Sequence, residues 1–186
     1  MAQRPVKQKA IFLDRDGTLI KQADDIVRPS QIHVLENVPE GLRMMRDLGY
    51  RLIVITNQPV VGKGLITKAG VEKLNEVLNA RFKKKKAEID AFYICPHRYW
   101  AKCPCRKPKL GLVREAARRF KIDLRQSFFV GDDMRDVETG SRGKMQTILV
   151  MTGKAGADKK FFDTKPTFVA KDLLAAAKII QGVHHA

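Results

Sequence analysis

The stretch Ala10-Ile11-Phe12-Leu13-Asp14-Arg15-Asp16-Gly17-Thr18-Leu19 decides how the rest of the chain is read. Ala10 to Leu13 is a short apolar run, the pattern of a strand buried on both faces, and it breaks off in two carboxylates one residue apart. In an open parallel α/β sheet the carboxyl ends of the strands face the ligand crevice. Paired acids at such an end can hold a divalent cation while leaving one oxygen free for covalent work. Gly17 then lets the chain turn sharply beside the ligand.

Working outward, Ile20 to Leu35 contains Asp24-Asp25 and Pro29 and keeps no period, so it reads as a loop, with His33 an ordinary half-exposed residue and Arg28 either solvated or reaching a substrate anion. Val38, Leu42, Met45 and Leu48 recur at helical spacing, and Gly49 closes the pattern as a helix-terminal glycine does. Leu52 to Ile55 is a second buried strand, ending in Thr56-Asn57-Gln58. Strand, helix, strand predicts a parallel βαβ unit that brings Thr56 into the crevice of Asp14. Pro59 to Gly64 reads as a glycine-bearing loop, and Thr67 as the cap of a helix with Val71, Leu74, Leu78 and Phe82 on its inner face. Lys83 to Lys86 reads as the solvated end of that helix. No G-x-x-x-x-G-K-[ST] or G-x-G-x-x-G occurs at a strand-to-helix junction, so no nucleotide cofactor is expected.

Ile89 to Ile94 predicts a third strand, running into Cys95-Pro96-His97-Arg98-Tyr99-Trp100-Ala101-Lys102-Cys103-Pro104-Cys105. Cys95, His97, Cys103 and Cys105 are four ligands of the type that tetrahedral zinc takes, and a filled set of four predicts a structural Zn²⁺. Arg106 and Lys107 follow directly, so a metal-bound loop would hold two cations in place for an anionic substrate. Leu112, Val113, Ala116, Ala117 and Phe120 predict a helix, and Ser127 to Val130 a strand ending in Gly131-Asp132-Asp133-Met134-Arg135-Asp136. Asp132 is there the natural partner of Asp14 for a shared cation, with Asp133 and Asp136 ligating through water or orienting neighbours. Thr147 to Met151 reads as a strand, 152–156 as a mobile loop, Thr167 to Val169 and Leu173 to Ile180 as a closing strand and helix, and 182–186 as a frayed tail.

The 186 residues, 44% hydrophobic, suit a single domain spanning 1–186 with a metal loop at 95–105. No run reaches membrane-span length and the first residues lack an apolar leader, so no membrane partner and a cytoplasmic location are expected. Three cysteines, an odd number crowded together, favour a metal site in a reducing compartment over disulfides. Thirty-six Lys and Arg against 20 Asp and Glu give a net charge of +16, a field that attracts polyanions.

Asp14-x-Asp16-Gly17-Thr18, then Thr56, Lys107 and Gly131-Asp132-Asp133, resemble in order the four motifs of the haloacid dehalogenase superfamily. Thr56-Asn57-Gln58, Cys95-Pro96-His97 and Cys103-x-Cys105-Arg106-Lys107-Pro108 resemble its capless, zinc-loop branch, which contains heptose-bisphosphate and histidinol-phosphate phosphatases. Lys107-Pro108-x-x-Gly111 and Gly62-Lys63-Gly64 are more similar to the heptose group. The short interval from His97 to Cys103 is more similar to the histidinol group. The resemblance implies a Rossmann-like three-layer α/β/α fold with a mainly parallel sheet and no large cap. It implies a phosphomonoesterase in which Asp14 is the nucleophile and Asp16 the general acid and base, with Thr56 and Lys107 on the transferring oxygens. Mg²⁺ would be held by Asp14, the Asp16 carbonyl and Asp132, less firmly by Asp133, while Asn57, Gln58, Arg106 and Lys107 contact substrate. The expected partner is a small phosphorylated molecule, foremost a sugar bisphosphate, acted on by a monomer. Histidinol phosphate is one alternative substrate, and nucleic-acid ends bearing a 3′-phosphate, which the charge suggests, are the other.

Overall fold

The computed structural model describes residues 7–185. Six strands, β1 (Ala10–Leu13), β2 (Arg51–Asn57), β3 (Ala91–Cys95), β4 (Phe128–Gly131), β5 (Gln146–Val150) and β6 (Phe168–Ala170), form one sheet ordered β3-β2-β1-β4-β5-β6. Every neighbouring pair is parallel. The helices are α1 (Val38–Asp47), the single turn α2 (Pro59–Gly62), α3 (Lys68–Lys83), α4 (Gly111–Phe120), α5 (Met134–Arg142) and α6 (Leu173–His184).

Alternation along the strands builds two cores. Ile11, Leu13, Leu52 and Val54 meet α1, α3 and α6 on one face, while Ala10, Phe12, Ile53 and Ile55 meet α4 on the other. Met134 and Val137 of α5 pack on Leu149. All four residues of β1 are fully buried; each large apolar side chain so removed from water contributes about 1.5–3 kcal/mol. The expected three-layer architecture is therefore present, and 20–35 is only a short excursion held by a bridge from Ile20 to Val34. Among the described residues no helix is long and apolar enough to cross a membrane.

The strand order reverses beside β1: β2 and β3 lie to one side, β4, β5 and β6 to the other. Neighbouring crossovers then leave on opposite faces of the sheet, opening a crevice outside the carboxyl ends of β1 and β4.

Away from the crevice floor, the structure departs from or adds to the sequence expectation at three places. Pro59 to Gly64 is not all loop, because Pro59 at a first helical position starts α2. The segment after β4 contains α5, capped by Asp133 accepting from Arg135 N at 2.9 Å. The tail expected from residue 182 is instead helical to His184, whose ring lies 2.9 Å from Lys9 Nζ and edge-on to Tyr50; Ala186 lies outside the described residues.

Candidate functional site

Asp14 leaves β1 and Asp132 leaves β4, so the parallel register sets them side by side. Asp14 N donates to Val130 O at 3.0 Å. Gly17 (φ +85°) and Gly153 (φ +56°) press on Asp132 from two sides, and a Cβ at either would collide with its carboxylate. Thr18 Oγ1 donates to Asp132 Oδ1 at 3.4 Å and Lys154 N to Oδ2 at 2.7 Å. Thr152 Oγ1 donates to Gly17 O at 2.6 Å. The segment 152–156, expected as a mobile loop, is thus stitched onto the crevice floor.

Lys107 is 5% exposed, with Nζ 2.7 Å from Asp14 Oδ1 and 2.6 Å from Asp136 Oδ1. Burial alone would lower its pKa, but the charges of Asp136 and Asp14 outweigh that and hold it above the ordinary lysine value. Asp14, Asp132 and Asp136 each offer an oxygen within 4.8 Å of the others. Three buried acids facing one ammonium leave a negative excess in low dielectric. Burial raises the pKa of Asp14 against the pull of Lys107, and raises that of Asp136 well above the usual carboxylate range. Burial and then the Asp14 charge push Asp132 to about 7. That excess, with hard oxygen donors converging from two strand ends, fits a divalent cation of the Mg²⁺ type.

Asp133 lines the same hollow but is engaged by other partners. It caps α5 and accepts from Arg135 Nη2 at 2.6 Å and Lys154 Nζ at 2.9 Å. Its pKa is held below the usual carboxylate range, the hydrogen bond from Arg135 outweighing the opposing effect of burial. Asp136, rather than Asp133, lies with Asp14 and Asp132.

The second strand end supports the first. Gln58 Nε2 donates to Asp16 Oδ2 at 2.7 Å and to Thr56 Oγ1 at 2.8 Å, while Gln58 Oε1 accepts from Arg15. Arg15, 2% exposed, pairs with both Asp16 oxygens at 3.0 and 3.1 Å and reaches Asn75 Oδ1 at 3.1 Å. Asn57 grips the main chain of Lys107, its Oδ1 accepting from Lys107 N at 3.0 Å and its Nδ2 donating to Lys107 O at 3.4 Å. Asn57 and Gln58, expected to contact substrate, line the hollow but spend their amides on Lys107 and Asp16.

Cys95, His97, Cys103 and Cys105 converge from β3 and the loop behind it, as their spacing predicts. Cys95 Sγ lies 3.7 Å from Cys103 Sγ and 3.2 Å from Cys105 Sγ, and His97 Nδ1 lies 3.1 Å from Cys105 Sγ. Two thiolates on one tetrahedral zinc stand about 3.8 Å apart, given Zn–S near 2.3 Å, so this set fits Zn²⁺. Burial and the neighbouring thiols push Cys105 well above the usual thiol range, a penalty a bound cation would relieve. The loop delivers Arg106 to the hollow, with Nη1 on His97 O at 3.2 Å and the guanidinium 4.5 Å over the Tyr99 ring.

Asp14, Asp16, Thr56, Asn57, Gln58, Arg106, Lys107, Asp132 and Asp133 all line this one hollow, whereas Arg28 and His33 are exposed outside it. The sequence reading missed Arg15, Arg135, Lys154 and Tyr99, which line it too. Lys154 follows a strand carboxyl end, and that position was its available signal. The hollow is bordered by seven acids and six cations, so the +16 charge is not concentrated there.

A family model described as HAD-hydrolase-like matches residues 104–176. The chain is 35% identical over 153 residues to the D-glycero-beta-D-manno-heptose-1,7-bisphosphate 7-phosphatase of Haemophilus influenzae, covering 78% of this chain and 83% of that one. The enzyme of the same name from Pasteurella multocida is 32% identical over 185 residues, covering 95% and 98%. Among solved structures, the D,D-heptose 1,7-bisphosphate phosphatase from B. bronchiseptica, complexed with magnesium and phosphate, superposes with a TM-score of 0.86. It is 28% identical, with 96% of this chain and 100% of that one covered.

Proposed function

Because the chain belongs to the haloacid dehalogenase-like hydrolases and is a phosphatase, we propose that it removes the 7-phosphate of D-glycero-D-manno-heptose 1,7-bisphosphate through an aspartyl-phosphate on Asp14. The observation that carries this reading is Lys107 Nζ at 2.7 Å from Asp14 Oδ1, in a hollow that Thr56 and Arg106 also line. A buried ammonium beside a strand-end carboxylate is suited to receive phosphoryl oxygens as Asp14 closes on phosphorus.

Asp14 attacks in line, the P–O bond to the sugar opens, and Asp16 gives its proton to the leaving alkoxide. Asp16 then takes a proton from water, which attacks the acyl-phosphate, releasing inorganic phosphate and restoring Asp14. Thr56 and Lys107 hold the transferring oxygens throughout. Arg15 and Gln58 fix Asp16, and Asn57 fixes Lys107, so three neighbours act by positioning. Mg²⁺ bound by Asp14, Asp132 and the Asp16 carbonyl supplies the positive charge that lets two anions approach. Zn²⁺ on Cys95, His97, Cys103 and Cys105 is structural, and Arg106, stacked on Tyr99, meets the phosphate remote from the reacting one.

Phosphate release from a panel tests the substrate. Both anomers of heptose bisphosphate, histidinol phosphate and a 3′-phosphorylated oligonucleotide are supplied with Mg²⁺. One heptose anomer is expected to exceed the other substrates at least about tenfold in kcat/KM, in line with recognition of a second phosphate by a charged hydrogen bond. A preference for histidinol phosphate, the reading favoured by the short His97 to Cys103 interval, would overturn the assignment.

A further inference from the structure

We propose that the surface at the amino ends of the strands, opposite the active site, binds the phosphate backbone of double-stranded nucleic acid without reading its sequence. Parallel topology sends the C-terminus of each crossover helix to that surface. The segments gathered there, 7–9, 46–51, 83–90, 118–126 and 142–146, make up about a sixth of the chain. They carry fourteen lysines and arginines against four acids, and so ten of the sixteen net positive charges. The hollow at the other end is nearly balanced, so this excess does not serve the phosphatase substrate.

The backbone gives a second, independent sign. Lys86 (φ 55°), Lys121 (φ 52°) and Lys144 (φ 59°) follow α3, α4 and α5 in the left-handed conformation. Glycine is the cheaper residue at such a position, and this same chain uses it after α1, at Gly49 (φ 79°). At three helix ends on one surface, backbone ease has been given up for a cation.

These cations are exposed and held in a fixed array. Gln8 N donates to Lys121 O at 3.0 Å, and Asp123 N to Gln8 O at 2.8 Å, tying the end of α4 to the start of β1. Lys7, Arg125 and Lys144, with Asp123 as the one acid, line a hollow of about 480 Å³. Ion pairs on this surface engage Arg46, Arg51 and Arg142. Among the described residues, no ion pair engages the side chains of Lys86, Lys121, Arg125 or Lys144.

What the surface lacks selects the partner. The exposed large apolar side chains, Tyr99, Trp100, Met151 and Phe161 among them, stem from other parts of the fold. Stacking on unpaired bases needs exposed aromatic rings, and stable membrane attachment needs an apolar anchor besides basic charge. Charge alone suffices for a duplex backbone.

The test is fluorescence anisotropy of a labelled DNA duplex with hydroxyl ends, titrated with the full chain between 50 and 200 mM salt. The comparison is a triple variant, Lys86→Gly, Lys121→Gly and Lys144→Gly, in which the left-handed backbone is retained. The wild type is expected to bind with steep salt dependence. The variant is expected to lose about two to three units from the log–log slope, close to 0.9 per charge removed, with unchanged melting temperature and phosphatase rate. No duplex binding at 50 mM salt would overturn the proposal, as would an unaltered slope in the variant. So would displacement by inorganic phosphate at matched ionic strength, which would place the duplex in the active site. Equal or tighter binding to single strands or to phosphatidylserine vesicles would overturn the choice of partner.

Discussion

Lys107 governs the electrostatics of the crevice: one buried ammonium shared by Asp14 and Asp136, with Asp132 left to neighbours that do not neutralise it. Without a cation, the raised pKa of Asp132 keeps a proton on the folded protein across a pH range in which the unfolded chain has already lost it. A carboxyl whose folded pKa is raised contributes stability below its unfolded pKa and loses it as pH rises through the window to the folded value. For Asp132 that window runs from 3.8 to about 7. Metal-free protein is therefore expected to melt at progressively lower temperature as pH rises from 5 to 8. Mg²⁺ should raise the melting temperature more at pH 8 than at pH 6. Calorimetry with EDTA and with Mg²⁺ checks this, and equal Mg²⁺ shifts at both pH values would contradict it. At the same scale, Asp14→Asn removes the carboxylate oxygen proposed to attack phosphorus but leaves a near-isosteric amide. Turnover should fall by about four orders of magnitude or more, with the circular dichroism of the wild type retained.

Elements differ in how openly the sequence displays them. β1, β2 and β4 are legible because burial on both faces forces an unbroken apolar run, and their carboxyl ends show as Asp14, Thr56 and Asp132. The metal loop is legible because four sulfur or imidazole ligands within eleven residues have few other uses. Helix α5 is not, since the acids at its start serve capping and the crevice and hide its apolar face. Arg15 carries no sequence signal of its own, and only tertiary structure buries it against Asp16, Gln58 and Asn75. Asn57 and Gln58 are visible as site residues, yet only the fold reveals that their amides brace Lys107 and Asp16. The same loop carries a prediction. The wild type is expected to carry roughly one zinc per chain, and Cys103→Ser to lose it and to melt at least about 5 °C lower. The substitution should also cut kcat/KM more than about tenfold, since Arg106 and Lys107 start one residue beyond Cys105. Full activity in zinc-free variant protein would show that the loop does not position them.

Across the molecule, charge and chemistry are segregated to opposite ends of one parallel sheet. The crevice at the carboxyl ends is close to neutral, with acids and bases locked together, while the amino ends carry most of the excess cations. The two ends should respond differently to salt. Between 50 and 200 mM, kcat/KM on the sugar bisphosphate is expected to change only a few-fold. Binding that neutralises six or more phosphates falls by about 10³ over the same range. A parallel collapse of both quantities would contradict the separation. Transfer of phosphorus to Asp14 can be observed directly, because trypsin cuts after Lys9 and Arg15 and releases Ala10–Arg15, whose one acidic side chain is Asp14. Rapid acid quench during turnover of heptose bisphosphate, followed by mass spectrometry, should find the phosphoryl group on that peptide. A quenched enzyme carrying phosphate on another peptide, or carrying none while product accumulates, would contradict it.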